Sequence, residues 1–371
     1  MNKTRIVIAS VLKPVTEPRA FSKLALSLRE TNKYRINIIG FCSKKSQTVD
    51  DIGFTAIFCR KRTHISRLFA SLKFLRVLFQ DTPAVVIVTT YELLPAALLG
   101  KAMLRFKLVY DMQENYAQNI LLNHSTPNIL RRLLAGIVRG VERTAHPWVD
   151  HYFFAEQVYA RQFQHINKFS VIENKFTPPF PLSPLDTVIP VPPHFVISGT
   201  ITPVYGIEKA VLWFLALQEH LPEATLTIIG HVPLEAFRKK LIAWAALHHN
   251  IYLQISTHPI DYHLILNAVQ QAAVVLMPYE LVESIRYKIP SKLYESVALR
   301  KPLIISENPS WSQIVDYYPA GISIDFTKTD NAVIDFQTLQ ARRLYRISPG
   351  PEVQWEGEAG KLVRVLEDLV Q

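Results

Sequence analysis

The feature that most constrains the fold is a regular alternation of short apolar runs with longer amphipathic segments. Strands buried on both faces give near-continuous apolar runs, and parallel strands need a helical crossover between them. The pattern therefore predicts an α/β fold with a parallel sheet covered on both faces. In the first half, the predicted strands are 5–11, 36–42, 55–59, 84–90, 108–111 and 152–155, and the predicted helices are 21–30, 66–80, 93–104 and 128–143.

A proline-rich segment at 177–194 interrupts this alternation. It contains seven prolines, which favour a stiff, extended chain typical of an interdomain linker. The alternation then restarts, which predicts two doubly wound Rossmann-like domains facing a central cleft. The later predicted strands are 195–199, 226–230, 251–255, 274–278, 303–306 and 322–326, and the last helix is 358–370. The predicted boundaries are 1–176, 177–194, 195–345 and a C-terminal helical segment at 346–371.

Composition places the chain among globular proteins. Its 371 residues are 49% hydrophobic and 19% charged, enough for two cores, and no apolar run approaches the ~20 residues of a membrane span. The apolar N-terminal run is too short for a signal peptide and fits a first strand. Cys42 and Cys59 lie in strand-like contexts, which predicts buried free thiols in a reducing cytoplasm.

The positive charge is concentrated near the N-terminus. The net charge is +10, and residues 1–80 hold 16 Lys/Arg against 4 Asp/Glu. Such a surface suits an anionic partner, namely a membrane, a phosphorylated acceptor or a nucleic acid, and the alternative is a merely solvated basic face. Within 60–79 the apolar stripe of the predicted helix is interpreted as covering a sheet, while its outward cations allow docking on an anionic membrane. That stripe consists of Leu68, Leu72, Leu75 and Phe79, with Arg67, Lys73 and Arg76 among them.

The segment 286–295, Arg-Tyr-Lys-Ile-Pro-Ser-Lys-Leu-Tyr-Glu, carries three cations and a carboxylate around a predicted helix start. Pro290 suits the helix entrance, and Ser291 can cap its free N–H groups. A helix N-terminus with Lys292 beside it attracts phosphate. Glu295 follows about one turn later, where its carboxylate can accept hydrogen bonds from sugar hydroxyls. Together these groups suit a nucleotide-sugar.

Several segments occur in the order found in one enzyme family. A strand and glycine loop at 195–207 is followed by a strand at 226–230, a strand and loop at 272–279, and the helix and strand at 290–306. This half resembles the nucleotide-sugar-binding domain of the GT-B glycosyltransferases, specifically the large family of bacterial retaining sugar transferases. In the first half, 109–115 and 171–174 resemble parts of the acceptor domain, and the likeness covers roughly 1–330.

The resemblance implies a donor side in 195–345 and an acceptor side in 1–176. It assigns Arg286 and Lys292 to the diphosphate of the donor, as catalytic cations, and Glu295 to the ribose hydroxyls. The donor-binding positions that it implies are Gly199, Thr200, Tyr287, Pro290, Ser291, Leu293 and Glu295.

The chain departs from the family pattern at three positions. Tyr287 stands where the family often has a Glu that contacts the transferred sugar. Thr200 and Tyr205 stand where the family commonly has an Arg and a Lys that serve the diphosphate. Since two usual cations are missing, Arg286 and Lys292 are expected to bear most of the diphosphate charge.

On the acceptor side, Asp111 and Glu114 follow a predicted strand. Carboxylates at the carboxyl end of a strand can orient or deprotonate an acceptor hydroxyl, and the alternative is that they stabilise the loop or cap a helix. Many relatives have a His near the position where this chain has Gln113. A glutamine side chain is neutral and cannot serve as a base. Arg19 in the first βα loop either holds an anionic acceptor or is a surface arginine.

The expected activity is transfer of a hexose from a UDP- or GDP-sugar to a glycan or lipid-linked acceptor in cell-surface polysaccharide biosynthesis. The resemblance implies a cytoplasmic enzyme, docked at the inner face of the membrane, without a cofactor. Scattered histidines and the lack of an Asp-x-Asp sequence predict a metal-independent reaction. A sugar-nucleotide epimerase or a non-catalytic nucleotide-sugar-binding homologue are the alternatives. Residues 9–20 hold no G-x-G-x-x-G, which argues against a dehydrogenase, and no nucleic-acid-binding module is recognised.

Overall fold

The computed structural model describes residues 3–42, 49–58, 69–122, 126–178, 188–283 and 285–371. The chain divides into two compact units. Unit 1 consists of Met1–Asn174 together with Trp355–Gln371, and unit 2 consists of Lys175–Gln354. Of the predicted linker, 179–187 lie outside the described residues.

Unit 1 is built on a parallel sheet of seven strands in the order β3-β2-β1-β4-β5-β6-β7. Its central strand β4 consists of four fully buried valine and isoleucine residues, because helices cover both faces. The strands are β1 Thr4–Pro14, β2 Tyr34–Phe41, β3 Ile52–Phe58, β4 Val85–Val88, β5 Lys107–Met112, β6 His151–Phe154 and β7 Phe169–Val171.

The helices of unit 1 enclose a separate apolar core on each face of this sheet. A π-helical segment, Arg19–Ala25, leads directly into the first α-helix. The last helix of the chain returns to unit 1, where Trp355 donates a hydrogen bond from Nε1 to Ser27 Oγ at 2.8 Å. The helices are α1 Leu26–Glu30, α2 Ala70–Asp81, α3 Leu94–Leu104, α4 Tyr116–Leu122, α5 Asn128–Ala145 and α6 Gln157–Gln162, with the C-terminal helix Trp355–Val370.

Unit 2 repeats the same winding with six parallel strands in the order β10-β9-β8-β11-β12-β13. The first strand, β8, lies in the middle, and later strands are added to either side of it. The strands are β8 His194–Thr200, β9 Thr225–His231, β10 Ile251–Ser256, β11 Val274–Met277, β12 Leu303–Ser306 and β13 Gly321–Ile324.

The helices of unit 2 enclose one continuous core around Trp213 and Phe214, both fully buried. The indole N–H of Trp213 is satisfied by Asp335 Oδ2 at 3.0 Å. The helices are α7 Ile207–Gln218, α8 Glu235–Leu247, α9 Tyr262–Gln271, α10 Ser291–Ala298, α11 Pro309–Tyr317 and α12 Ala332–Ala341, and the C-terminal helix of unit 1 is α13. No helix in the described ranges is long and apolar enough to cross a membrane.

The predicted α/β class with two doubly wound parallel sheets is confirmed. Each predicted strand is present with its ends moved by up to three residues, whereas β7 was not predicted. The last helix begins at Trp355 rather than at residue 358 and packs in unit 1. The predicted boundaries place this helix after the second domain, whereas it belongs to the first unit.

Two predictions in the basic N-terminal region are wrong. The described part of helix 66–80 buries Ala70, Phe74, Val77 and Leu78, whereas Leu72 and Phe79 of the predicted buried stripe are exposed. Leu68 and Arg67 lie outside the described residues. Cys42 is disulfide-bonded rather than a free thiol, and Cys59 lies outside the described residues.

Candidate functional site

The candidate donor site lies at the carboxyl edge of the sheet of unit 2, where the strand order reverses between β8 and β11. Doubly wound sheets bind ligands at this position, because the connections of neighbouring strands leave to opposite faces and open a crevice. Gly199, near the end of β8, has φ +106°, a conformation that side-chain-bearing residues rarely adopt. Since a glycine has no side chain, this position leaves room for another group against the backbone at the edge of the sheet.

Lys292 lies directly over that glycine. Its Nζ donates a hydrogen bond to Ser198 Oγ at 3.2 Å. A Cβ on Gly199 would lie 2.1 Å from Cε of Lys292 and 2.7 Å from its Nζ. The glycine thus provides the space that the lysine occupies, and the ammonium group is held at the end of β8.

The N-terminus of α10 delivers Lys292 to this position. Lys292 is the second residue of the helix, so its charge adds to the positive end of the helix dipole. Pro290, rather than Ser291, occupies the N-cap position, and no side chain caps the helix. The predicted capping role of Ser291 is therefore wrong, because Ser291 is already the first helical residue.

This correction leads to a stability prediction. Ser291→Ala is expected to change the free energy of unfolding by less than about 0.5 kcal/mol, since it removes no cap. The matched variant is Asn308→Ala at the N-cap of α11, where Oδ1 of Asn308 accepts hydrogen bonds from the N–H groups of Ser310 and Trp311. We expect the latter to cost about 1–2 kcal/mol in urea unfolding. Equal losses for the two variants would contradict this assignment.

Glu295 lies on the buried side of α10 and accepts a hydrogen bond from the hydroxyl of Tyr262 at 2.6 Å. Tyr262 is the first residue of α9, which Asp261 caps through the N–H of His263. Burial and the adjacent carboxylate raise the pKa of Tyr262, so it stays a hydrogen-bond donor. The carboxylate is thus oriented by the protein, and Tyr262 is a site residue that sequence reasoning missed.

The segment that precedes α10 is fixed by two residues of the next βα connection. Asn308 Nδ2 donates to the carbonyl of Arg286 at 3.0 Å, and Trp311 Nε1 donates to the carbonyl of Lys288 at 2.7 Å. The guanidinium of Arg286 stacks on Tyr287, with Cζ 5.0 Å from the ring centroid, and both side chains are exposed. The structure therefore brings Lys292 to the glycine at the end of β8, while it pairs Arg286 with Tyr287.

The two positions that lack the usual family cations have different surroundings. Thr200 is exposed at the end of β8. Tyr205 stacks on Tyr279, with ring centroids 4.7 Å apart, and Tyr279 in turn makes an edge contact with Trp311. Burial raises the pKa of Tyr279, which keeps the ring neutral. The position where the resemblance predicts a lysine is therefore part of an aromatic cluster of Tyr205, Tyr279 and Trp311.

In unit 1, Arg19 and Asp111 form a buried ion pair. Nε of Arg19 donates to Oδ2 at 2.9 Å and Nη2 donates to Oδ1 at 2.6 Å, while Gln113 Nε2 also donates to Oδ2 at 2.9 Å. Arg19 is 2% exposed and Asp111 0% exposed. Burial acts to lower the pKa of Arg19, but the carboxylate of Asp111 outweighs it and the pKa is raised.

This geometry corrects the sequence interpretation of the acceptor side. Arg19 is neither an open anion-binding side chain nor a surface arginine, because its guanidinium is buried and paired with the carboxylate of Asp111. The contacts of Asp111 with Arg19 and Gln113 favour the structural alternative, and a catalytic role stays a prediction. Glu114 is half-buried and accepts a hydrogen bond from Asn119 Nδ2 at 2.8 Å, which ties the loop to α4.

One cavity at the carboxyl edge of unit 2 is separate from the candidate donor site. It has a volume of about 410 Å³ at the ends of β11, β12 and β13, and its charged lining consists of Lys209, which pairs with Glu280, and the further carboxylates of Glu307 and Asp325. An acidic lining does not suit a diphosphate, and none of the predicted site residues contributes to it. Among the residues that the structure describes, no cluster of His, Cys, Asp and Glu could hold a metal ion. Metal independence of a reaction stays a prediction.

Comparisons with known proteins give a uniform result for the fold. No protein-family model matches the sequence, and no curated protein matches it. Sucrose-phosphate synthase from Thermosynechococcus elongatus matches over 99% of both chains with a TM-score of 0.68 and 14% identity. HepE of Anabaena, solved with UDP-glucose, matches over 98% of both chains with a TM-score of 0.60 and 11% identity. UDP-GlcNAc 2-epimerase from Methanocaldococcus jannaschii matches over 99% of this chain and 100% of the epimerase chain, with a TM-score of 0.58 and 13% identity.

These matches span essentially the whole chain, so the chain has a GT-B glycosyltransferase-like fold. The predicted fold resemblance is confirmed. Because the identities lie between 11% and 14%, the likeness concerns the fold alone, and the same fold occurs in both sugar transferases and an epimerase.

Proposed function

We propose that this protein is a glycosyltransferase that binds a UDP- or GDP-sugar in unit 2 and transfers the hexose to a glycan or lipid-linked acceptor. The observation that carries the proposal is the placement of Lys292 over Gly199 at the N-terminus of α10, with buried Glu295 one turn later. A cation, a helix N-terminus without a side-chain cap and a carboxylate at the strand-order reversal are the groups that a diphosphate and a ribose require. HepE, which has the same fold, was solved with UDP-glucose.

Lys292 is proposed to stabilise the departing diphosphate. When the anomeric bond breaks, negative charge grows on the diphosphate while the sugar becomes positively charged. An ammonium group and helix N–H groups that already point at the diphosphate stabilise this charge without reorganisation, which is usually the largest catalytic contribution. The hydrogen bond to Ser198 holds the ammonium in place.

Glu295 is proposed to bind the ribose hydroxyls. A carboxylate offers about four acceptor sites, and Tyr262 occupies one of them. The remaining sites can accept hydrogen bonds from a vicinal diol. Since Tyr262 also fixes the orientation of the carboxylate, the ribose would meet a preorganised acceptor.

The proposals on the reaction type, the pathway and the cellular location rest on the family resemblance and on the positive charge of the N-terminal region. They are a metal-independent, retaining reaction in bacterial cell-surface polysaccharide biosynthesis, carried out in the cytoplasm at the inner face of the membrane. The acceptor is proposed to be anionic, since residues 1–80 carry a strong excess of cations.

Calorimetry with UDP, GDP and their sugars tests the donor proposal. Lys292→Ala is expected to weaken nucleotide affinity about 10–100-fold, because one charge-assisted interaction of about 1.5–3 kcal/mol is lost. Glu295→Gln is expected to weaken binding less, since the amide still accepts the Tyr262 hydrogen bond. The matched control is Lys239→Ala, an exposed lysine on α8 of the same unit. A wild-type protein that binds no nucleotide, or equal losses in the control, would refute the donor site.

An epimerase is the competing function, because a UDP-GlcNAc 2-epimerase has the same fold. Proton NMR of the nucleotide-sugar separates the two activities. A transferase is expected to release UDP or GDP only when an acceptor is present. An epimerase is expected to convert the sugar of the nucleotide-sugar when no acceptor is present, without forming a glycosylated product. Binding without either change would favour the non-catalytic alternative.

A further inference from the structure

Helix α5 carries a row of large apolar side chains that face solvent. This outer stripe consists of Ile129, Leu130, Leu133, Leu134 and Ile137, and Ile129, Leu133 and Ile137 are 86%, 60% and 52% exposed. The spacings of three and four residues place the members on one side of the helix. A surface helix normally turns such a stripe toward the core, so the exposure of all five residues needs an explanation.

The packing of α5 shows why the stripe stays outside. The helix is fixed to unit 1 through Ala135, Val138 and Ala145, which are its buried residues. Ala135 and Val138 pack with Ala117 of α4 in a small cluster. The buried face is therefore narrow and is rotated about the helix axis from the outer stripe. The stripe is additional apolar surface that the fold of unit 1 does not use.

The charged side chains beside the stripe are positive. Arg132, Arg139 and Arg143 are exposed, and at 100° per residue they fall within about 40° of one another along one border of the outer stripe. They form no ion pair among the described residues. The single acid of the helix, Glu142, is half-buried and accepts a hydrogen bond from the hydroxyl of Tyr110 at 2.9 Å. Burial raises the pKa of Glu142.

We propose that α5 docks unit 1 on an anionic membrane surface. The outer stripe would enter the boundary between headgroups and acyl chains, and the three arginines would contact lipid phosphates. A helix with a strongly apolar side and arginines along its border has the composition of an interfacial helix. Binding at this surface needs no donor chemistry. The inference rests on the proposed function and adds the location of the lipid-facing surface. It assigns this surface to α5, whereas the sequence pattern predicts it at the cations of 60–79.

Other large apolar side chains are exposed on the element that packs beside α5 and on the segment that follows it. Leu99 and Met103 are exposed on α3, which packs beside α5. Trp148 follows the C-terminal end of α5 and is also exposed. Tryptophan is enriched at membrane interfaces, because its ring is apolar and its indole N–H is polar. Thus the end of the helix also suits the interface.

Charge complementarity favours a bilayer over a second copy of the chain. A twofold contact places the same surface on both partners, so the arginines of one copy would approach those of the other. Anionic headgroups neutralise the same arginines instead. A bilayer also accommodates an apolar row of variable length without requiring a matching groove.

Vesicle flotation tests the proposal with the full chain. The wild type is expected to float with vesicles of phosphatidylglycerol and phosphatidylcholine, to float poorly with phosphatidylcholine alone, and to dissociate as salt rises. The variant Arg132→Gln/Arg139→Gln/Arg143→Gln should lower the partition coefficient about 100-fold, since each cation near such a surface contributes roughly fivefold. The variant Ile129→Ser/Leu133→Ser/Ile137→Ser should lower it at least as much.

Matched variants in unit 2 control for general effects of charge and apolar surface. Lys239→Gln/Arg343→Gln/Arg346→Gln removes the same charge from exposed residues, and Leu247→Ser/Leu264→Ser removes exposed leucines. Both should float like the wild type. Because the substituted residues are exposed and belong to unit 1, whereas the donor residues belong to unit 2, the α5 variants should keep the melting temperature and the UDP affinity of the wild type. This separates the inference from the proposed function.

Three outcomes would overturn the proposal. One is wild-type binding to neutral vesicles as strong as to anionic ones, and another is an equal loss of binding in the unit 2 controls. The third is a dimer in light scattering that the α5 serine variant abolishes, with no vesicle binding by the wild type. That result would assign the outer stripe to contact between two copies of the chain.

Discussion

Gly199→Ala is expected to remove most of the UDP affinity while leaving the protein folded. The new Cβ would lie 2.1 Å from Cε of Lys292, so the flexible end of the lysine must move away from Ser198 and from the proposed diphosphate position. Displacing one charge-assisted contact of about 1.5–3 kcal/mol weakens binding about 10–100-fold. The positive φ of +106° adds a strain of about 1–3 kcal/mol to the folded state. Calorimetry with UDP and thermal unfolding measure the two effects.

The double variant Gly199→Ala/Lys292→Ala provides the decisive comparison. If the glycine acts by giving Lys292 its space, the double variant should bind UDP about as weakly as Lys292→Ala alone, because the two losses share one contact. Gly136→Ala is the control for glycine replacement, since no atom lies within 4 Å of its added Cβ. Unchanged UDP affinity in Gly199→Ala, or fully additive losses in the double variant, would show that Lys292 does not act from this position.

The sequence predicts the fold well because the fold depends on a repeated local pattern. The runs at 84–90 and 274–278 are apolar on both faces, and the structure places β4 and β11 there. By contrast, β7 has only three residues, all half-buried, so it lacks the apolar run by which strands are recognised. The packing of Trp355 against α1 joins residues 328 apart in sequence, and no local pattern contains that information.

The candidate site is predicted in part for the same reason. Arg286 through Glu295 are contiguous, so their chemistry is visible in one segment. The pairs Tyr262–Glu295 and Arg19–Asp111 join residues 33 and 92 apart, and only the folded sheets bring them together. Ser291 illustrates a smaller error, because a serine after a proline suits either the N-cap or the first helical position, and the backbone adopts the latter.

Helices α2 and α5 show why amphipathic patterns leave burial undecided. Both have an apolar stripe beside cations, and the pattern in α2 predicts a stripe that covers a sheet. In α2 the buried residues are instead Ala70, Phe74, Val77 and Leu78, and Leu72 is exposed. In α5 the large apolar residues lie outside and small ones are buried. A stripe indicates that a side of a helix can meet an apolar partner, and the surrounding chain decides whether that partner is the core.

Asp111→Ala is expected to destabilise the protein by about 3–5 kcal/mol, because it leaves the guanidinium of Arg19 buried without its counter-charge. Nη1 of Arg19 is already buried without a hydrogen-bond partner among the described residues, so the guanidinium depends on Asp111. Urea unfolding measures the loss. The double variant Arg19→Met/Asp111→Leu should recover most of it, since an apolar pair of similar volume leaves no buried charge. The exposed pair of Arg238 with Glu235 on α8 is the control, and Glu235→Ala should show no measurable change.

This experiment also separates the two roles that the sequence left open for Asp111. A structural role requires the loss of stability and its recovery in the apolar double variant, with nucleotide binding in unit 2 preserved in the folded protein. A catalytic role requires the opposite pattern, in which Asp111→Ala folds with wild-type stability, binds UDP normally and fails to transfer the sugar. Because the ion pair connects the π-helical segment after β1 to the end of β5, we expect the structural pattern.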